Sequence, residues 1–216
     1  MRDSFHKELD LLDQDVVRLG TLVEESTRGA TTALIECDKE LAERVRAGDD
    51  AIDALFLDIE KRSLRLLAQQ APVAGDLRLL VAILRVLTDL ERSGDLAHSI
   101  AKAALAEDFC QPQLKAVRAL VADLGRAAAK LTGAAVDAWA AKDERLAADL
   151  ALQDDVLDDL QSRLLEGLLQ LKGEENLGPA IRLAMVGRYL ERIGDHAVNL
   201  GERLRYYLTG DETLLG

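Results

Sequence analysis

Apolar residues recur every three or four positions along nearly the whole chain, and sustained two-residue alternation is absent. The pattern predicts an all-α protein with six long helices, near 4–36, 38–70, 74–106, 113–141, 143–172 and 178–208. Asp38 and Asp143 stand where helix-starting side chains belong, ready to accept from free backbone N–H groups. Pro72 separates the second helix from the third, while Pro112 and Pro179 suit first-turn positions. The connections are short, so successive helices are antiparallel neighbours. The expected organisation is an up-down-up three-helix bundle over 1–106, a linker over 107–112, and a second three-helix bundle over 113–216.

The two halves are copies of one unit. "RLG" at Arg18–Gly20 meets "DLG" at Asp123–Gly125, and "DDAIDAL" at Asp49–Leu55 meets "DDVLDDL" at Asp154–Leu160, both at an offset of 105. "ERSGD" at Glu91–Asp95 meets "ERIGD" at Glu191–Asp195 at an offset of 100. The second copy has therefore lost five residues between these segments, in a turn-like stretch that tolerates length changes.

Composition narrows the function. Of 216 residues, 49% are hydrophobic but only 3% aromatic, and the formal net charge is −12. That balance argues against nucleic acid, which demands cationic side chains for its phosphates and aromatic faces for its bases. No apolar run approaches the ~18–20 residues of a membrane span, and the N-terminus "MRDSFHKELDLL" has no apolar signal core. Cys37 and Cys110 lie far apart with neither metal nor redox spacing. They are expected to be inert small hydrophobes in a reducing cytoplasm.

The candidate chemistry lies in acid pairs four residues apart. At about 100° per residue, Asp95 and His98 share the face of Glu91 with Leu80, Leu84 and Leu87. Glu191 and Asp195 share theirs with Ala180, Ala184 and Val198. Asp49 and Asp53, like Asp154 and Asp158, likewise fall on apolar stripes, so all four pairs are expected to face the core side. They also match in height. Asp53 with Glu91, and Asp49 with Asp95, are both centred on Pro72; Asp158 with Glu191, and Asp154 with Asp195, are both centred between positions 174 and 175. Folded as hairpins, the helices bring four carboxylates per half to one level. Such a group must protonate, pair with arginine, stay wet or bind cations. Oxygen-only ligation favours hard or borderline ions. His98 is on the stripe but its repeat partner is Val198, and His196 points off it, so neither is counted as a ligand. No phosphate loop or nucleophile motif appears, and no catalytic residue is assigned. Trp139, Tyr206 and Tyr207 read as packing residues.

"QQAPVAGDLR", "DLERSGDLAHSIA" and "RYLERIGDHAVNLGE", with the N-terminal "FHKELDLLDQDVVRLGTLV", resemble the PhoU family of bacterial phosphate-signalling regulators over essentially the whole chain. The resemblance implies two three-helix bundles related by a pseudo-twofold. It implies bound Fe, Zn, Mn or Mg at Asp49, Asp53, Glu91, Asp95, Asp154, Asp158, Glu191 and Asp195. It implies a cytoplasmic, homodimeric negative regulator of the phosphate-starvation response. As partners it implies the nucleotide-binding subunit of a phosphate ABC transporter and a phosphate-sensing histidine kinase. Two other readings remain open, a carboxylate-bridged metalloenzyme or metal store, and a structural bundle whose acids pair with arginine. One departure is that "PVAGDLR" has no full counterpart in the second copy, so Asp76 and Arg78 either belong to a one-sided surface or, the favoured expectation, cap the third helix.

Overall fold

The computed structural model describes residues 2–106 and 109–215, so positions 107 and 108 of the expected linker lie outside the described residues. Six helices account for most of the chain: α1 (Arg2–Glu36), α2 (Lys39–Gln70), α3 (Ala74–Ala106), α4 (Lys115–Ala141), α5 (Glu144–Leu169) and α6 (Leu177–Thr209). Single 3-10 turns at Pro112–Leu114 and Glu174–Asn176 lead into α4 and α6, and a third at Glu212–Leu215 follows α6. There is no strand among the described residues. Asp38 accepts from the N–H of Leu41, and Asp143 from those of Arg145 and Leu146, which starts α2 and α5 as their side chains predict. Helix α5 stops at Leu169 rather than 172, because Gly173 takes a left-handed φ of 97° and the next residues tighten into a 3-10 turn.

Helices α1, α3, α6 and α4 pack in a ring, each on the next, and form a central four-helix core. Helix α2 covers the α1–α3 groove and α5 the α4–α6 groove. Leu12, Leu19, Leu80, Ile83, Leu87 and Leu124 are fully buried in this core. Each such leucine contributes about 1.5–3 kcal/mol relative to exposure. Trp139 is also fully buried, and its indole N–H donates to Asp13 of α1 at 2.9 Å, where Lys142 also binds. A polar ladder crosses from α1 to α2 as well: Arg62 reaches Glu8 at 2.7 Å, Asp15 at 2.6 Å and Asp58 at 2.9 Å.

The α1–α4 crossing shows the repeat as a symmetry. A Cβ added at Gly20 would lie 2.4 Å from Val136, and one added at Gly125 would lie 2.2 Å from Thr31. Shifting Gly20 and Thr31 by the repeat offset gives Gly125 and Val136. The two halves therefore exchange equivalent contacts across a pseudo-twofold, each glycine admitting the other half's β-branched side chain.

Two sequence expectations need correction here. Cys37 and Cys110 are joined in a disulfide, with Cα atoms 6.2 Å apart. Their separation of 73 residues hid this; α2 and α3 run out and back, so the α1–α2 turn and the segment after α3 meet at one end of the molecule. Arg78 does not cap α3: its Nε donates to the carbonyl of Tyr207 in the last turn of α6, at 3.2 Å, where a cation also complements the helix dipole. Asp76 lies 3.4 Å from His6 of α1.

Gly125→Ala should cost about 1–3 kcal/mol in chemical denaturation, since Thr31 is β-branched and cannot retreat. Gly48→Ala, with nothing within 4 Å of the added carbon, should be neutral or stabilise by up to about 1 kcal/mol. Reduction of the disulfide, or Cys37→Ser, should lower stability by up to about 4 kcal/mol for a loop of this length, read as a drop in melting temperature when reductant is added.

Candidate metal centre

The hairpins α2–α3 and α5–α6 place the acid pairs. Helix α2 buries Ile52, Ile59 and Leu66 against its neighbours, and Asp49 and Asp53 bracket Ile52 along the chain. Helix α5 buries Leu157, Leu160 and Leu164, with Asp154 and Asp158 bracketing Leu157 in the same way. On the facing helices the glycine of E-R-x-G-D sets the distance. A Cβ at Gly94 would come within 3.1 Å of Ile52 and 3.7 Å of the Asp49 carboxylate. One at Gly194 would come within 3.3 Å of Leu157 and 2.9 Å of Asp154 Oδ1. The bare backbone thus forms a cradle in which the first aspartate of each pair rests.

The acids sit at the rim of this seam, which corrects the expectation that they face the core. Asp53, Asp95, Asp158 and Asp195 are exposed, whereas Asp49, Glu91, Asp154 and Glu191 are half-buried. Helix α3 packs on α1, α2 and α6 together, so its buried face is broad and centres roughly 110° from Glu91 at 3.6 residues per turn. The acids occupy the edge of that face, where it meets both α2 and water.

Each half does gather its four acids electrostatically. Burial raises the pKa of Glu91 above the usual carboxylate range, and Asp95, Asp53 and Asp49 raise it further against a partial offset from Arg92. In the second half Asp154 is pushed up to about 6, by burial first and then by Asp195, Asp158 and Glu191. Glu191 is raised by burial and by Asp195 and Asp158, although Arg188 pairs with it directly. Asp195 is also raised, by burial and by Asp158, against the pull of Arg188 and Arg192. The eight carboxylates therefore form two clusters, Asp49, Asp53, Glu91 and Asp95 in one hairpin and Asp154, Asp158, Glu191 and Asp195 in the other.

Among the described residues no three His, Cys, Asp or Glu side chains are drawn into one coordination sphere. What fits a cation here is the donor chemistry. Asp154 Oδ1 is buried against α6 with no hydrogen-bond partner, and leaving such an oxygen unsatisfied costs about 1–3 kcal/mol or more. Of the cluster acids, Glu191 is the one in an ion pair with arginine among the described residues. Arginine pairing thus does not explain the clusters as a whole. A cation bridging the seam would satisfy the orphan oxygen and relieve the mutual repulsion together.

The two histidines near the motifs differ. His196 is buried in the α3–α6 contact, 2.9 Å from Ser93 Oγ, and is held neutral, its pKa pushed down to about 4 by burial and by Arg192 and Arg92. With Asn199, which donates to Asp89 at 3.3 Å, it stitches the two halves and takes no part in a cluster. His98 Nδ1 lies 2.5 Å from Asp49 Oδ2. Sequence reasoning missed this contact because the second copy has valine at the equivalent position.

The chain matches the family model described as "PhoU domain" twice, over residues 16–104 and 121–204. The two starts are 105 residues apart and the two ends 100, as in the internal repeat. It is 32% identical over 210 residues to the phosphate-specific transport system accessory protein PhoU homolog 2 of Mycobacterium tuberculosis, covering 97% of this chain and 99% of that one. It is also 32% identical over 211 residues to the corresponding PhoU homolog of Caulobacter vibrioides, covering 97% and 91%. The crystal structure of PhoU from Pseudomonas aeruginosa superposes with a TM-score of 0.88 at 32% identity, over 95% of this chain and 99% of that one. The phosphate transport system regulatory protein PhoU from Streptococcus pneumoniae gives 0.85 at 31%, over 96% and 98%. Two domain matches, full-length likeness and a shared six-helix architecture make this chain a member of the PhoU family.

Proposed function

We propose that this protein is a metal-binding regulatory adaptor of phosphate uptake, a negative regulator that couples a phosphate ABC transporter to its sensor histidine kinase. Its family consists of regulatory accessory proteins, and it is not an enzyme. The observation that carries the metal-binding part is the duplicated carboxylate seam with a buried, partnerless Asp154 oxygen. The regulatory part rests on the relatives, named as phosphate-specific transport accessory proteins. The partners that suit this reading are the transporter's nucleotide-binding subunit and the kinase, with the adaptor acting as a homodimer in the cytoplasm. Among the described residues no helix is long and apolar enough to cross a membrane. In a reducing compartment the Cys37–Cys110 bridge would stand as two thiols.

The bound ions would be Fe, Zn, Mn or Mg, held by Asp49, Asp53, Glu91 and Asp95 in one half and by Asp154, Asp158, Glu191 and Asp195 in the other. Their role would be structural and regulatory, holding each hairpin closed where its own charges push it apart. The rim position favours this reading, since an ion can reach exposed carboxylates from solvent without opening the core.

Protein purified without chelator should contain metal by elemental analysis, and Mn2+ or Mg2+ should raise the melting temperature of the stripped protein. In the stripped protein the pH dependence has a definite sign. Asp154 holds its proton more tightly in the folded state, up to about 6, than in the unfolded chain, near the ordinary aspartate value of about 4. Stability should therefore fall as pH rises between those values, and Asp154→Asn should flatten the slope. Deletion of the gene should switch on phosphate-starvation genes in high phosphate; continued normal repression there would refute the regulatory assignment.

A further inference from the structure

The α3–α6 contact has two pseudo-equivalent ends, and they are finished differently. At one end a groove of about 350 Å3 lies between the last turns of α3 and the first half of α6, where Lys102, Ala103 and Ala106 face Arg182, Met185 and Tyr189. At an offset of 100, Asn199, Arg203 and Tyr206 stand where Ser99, Ala103 and Ala106 stand here. Those larger side chains fill the other end: Asn199 donates to Asp89, and Arg203 and Tyr206 are buried. The chain's own C-terminal segment is then fastened to Arg203, whose Nη1 donates to the Leu214 carbonyl, while Leu214 and Leu215 pack on the core. The groove exists because three small residues leave unfilled what their repeat partners fill.

What surrounds the groove selects its occupant. Leu177, Ile181 and Met185 follow each other at four-residue intervals on α6, and each is at least half exposed. Such a stripe beside a concave site marks a docking surface. The charge is also selective. The chain carries a net −12, yet the charged residues that line this groove, Lys102 and Arg182, are both cationic. In the filled end the equivalent of Lys102 is Glu202, which pairs with Arg203. A second copy docked by the same patch would bring like charge to like charge, so the groove favours an acidic partner.

We propose that this groove docks a short acidic segment of a partner protein, one that carries leucine-class side chains next to carboxylates. Its apolar side chains take the space beside Ala103 and Ala106, and its carboxylates meet Lys102 and Arg182. The filled end supplies the precedent, since the segment fastened there reads Asp-Glu-Thr-Leu-Leu. None of the eight cluster acids lines the groove, so docking here goes beyond the metal-binding reading and does not depend on it.

Met185 makes the test site-specific, because Met1 is the only other methionine in the sequence. The full chain, labelled with carbon-13 at its methionine methyl groups, is titrated with the end-capped peptide Asp-Glu-Thr-Leu-Leu and followed by NMR; Met185→Leu assigns the signal. The Met185 methyl should shift to saturation while Met1 stays unmoved, and the filled end, which has no methionine, does not contribute. The peptides Asp-Glu-Thr-Ala-Ala and Lys-Lys-Thr-Leu-Leu should bind more weakly by a factor on the order of ten. Ala106→Tyr, which installs the side chain of the filled end, should abolish the shift. Lys102→Glu should weaken the acidic peptide by a similar factor and improve the lysine peptide. Both positions are exposed, so circular dichroism should show both variants folded. No saturable Met185 shift with the acidic peptide, equal binding of all three peptides, or binding indifferent to Ala106→Tyr overturns the proposal. So does a Met185 shift that needs no peptide and grows with protein concentration, which assigns the groove to a second copy. A shift caused by vesicles of anionic phospholipid and not by the peptide assigns it to a membrane and overturns the proposal as well. Metal content and repression in high phosphate test the adaptor reading separately, and none of these outcomes alters them.

Discussion

The close approach of paired antiparallel helices at a bare glycine is the constraint on which the candidate site depends. Ile52 presses on Gly94 and Leu157 on Gly194, and these two contacts fix the register of each hairpin. Once they are fixed, the acids three positions before and one position after each apolar residue have no freedom of level. They must meet the glutamate and aspartate of the facing helix. A larger residue in place of either glycine would separate the helices and remove the geometry that crowds the charges. Apolar packing therefore holds an arrangement that electrostatics alone opposes, a balance in which a cation has a natural part.

Much of this is written in the sequence. Six helices, their caps at Asp38 and Asp143, and the break at Pro72 follow from periodicity and local chemistry, because those signals act over a few residues. The juxtaposition of Asp53 with Glu91 followed from counting along a hairpin, since a tight turn makes register a matter of arithmetic. What escaped was whatever depends on three bodies at once. The apolar stripe around Glu91 predicted a core-facing acid, but α3 packs on three helices and its buried face turns away toward α1 and α6. The Cys37–Cys110 bridge escaped for a related reason: closeness there arises from two helices running out and back, and no local spacing records it. His98 lay on the stripe of Glu91, but no local spacing records that it meets Asp49 across the α2–α3 seam.

The fold also separates two kinds of polar contact. Ser93, His196, Asp89 and Asn199 join the halves through groups that are buried or half-buried and hydrogen-bonded to each other. The carboxylate clusters lie on the α2 and α5 sides, facing water and lacking such internal satisfaction. The first set specifies how the halves meet; the second leaves its charges at the solvent edge of each hairpin.

The exchanged contacts at the α1–α4 crossing have a consequence for the origin of the fold. Gly20 receives Val136 and Gly125 receives Thr31, so each repeat contains both a hole and the knob that fills its counterpart. A shorter ancestral polypeptide with a single repeat would own both parts and could close the same interface by pairing with a twin. The present chain has the form of such a twin pair joined head to tail. Fusion leaves the two acidic hairpins free to differ, and histidine at position 98 against valine at position 198 is one such difference.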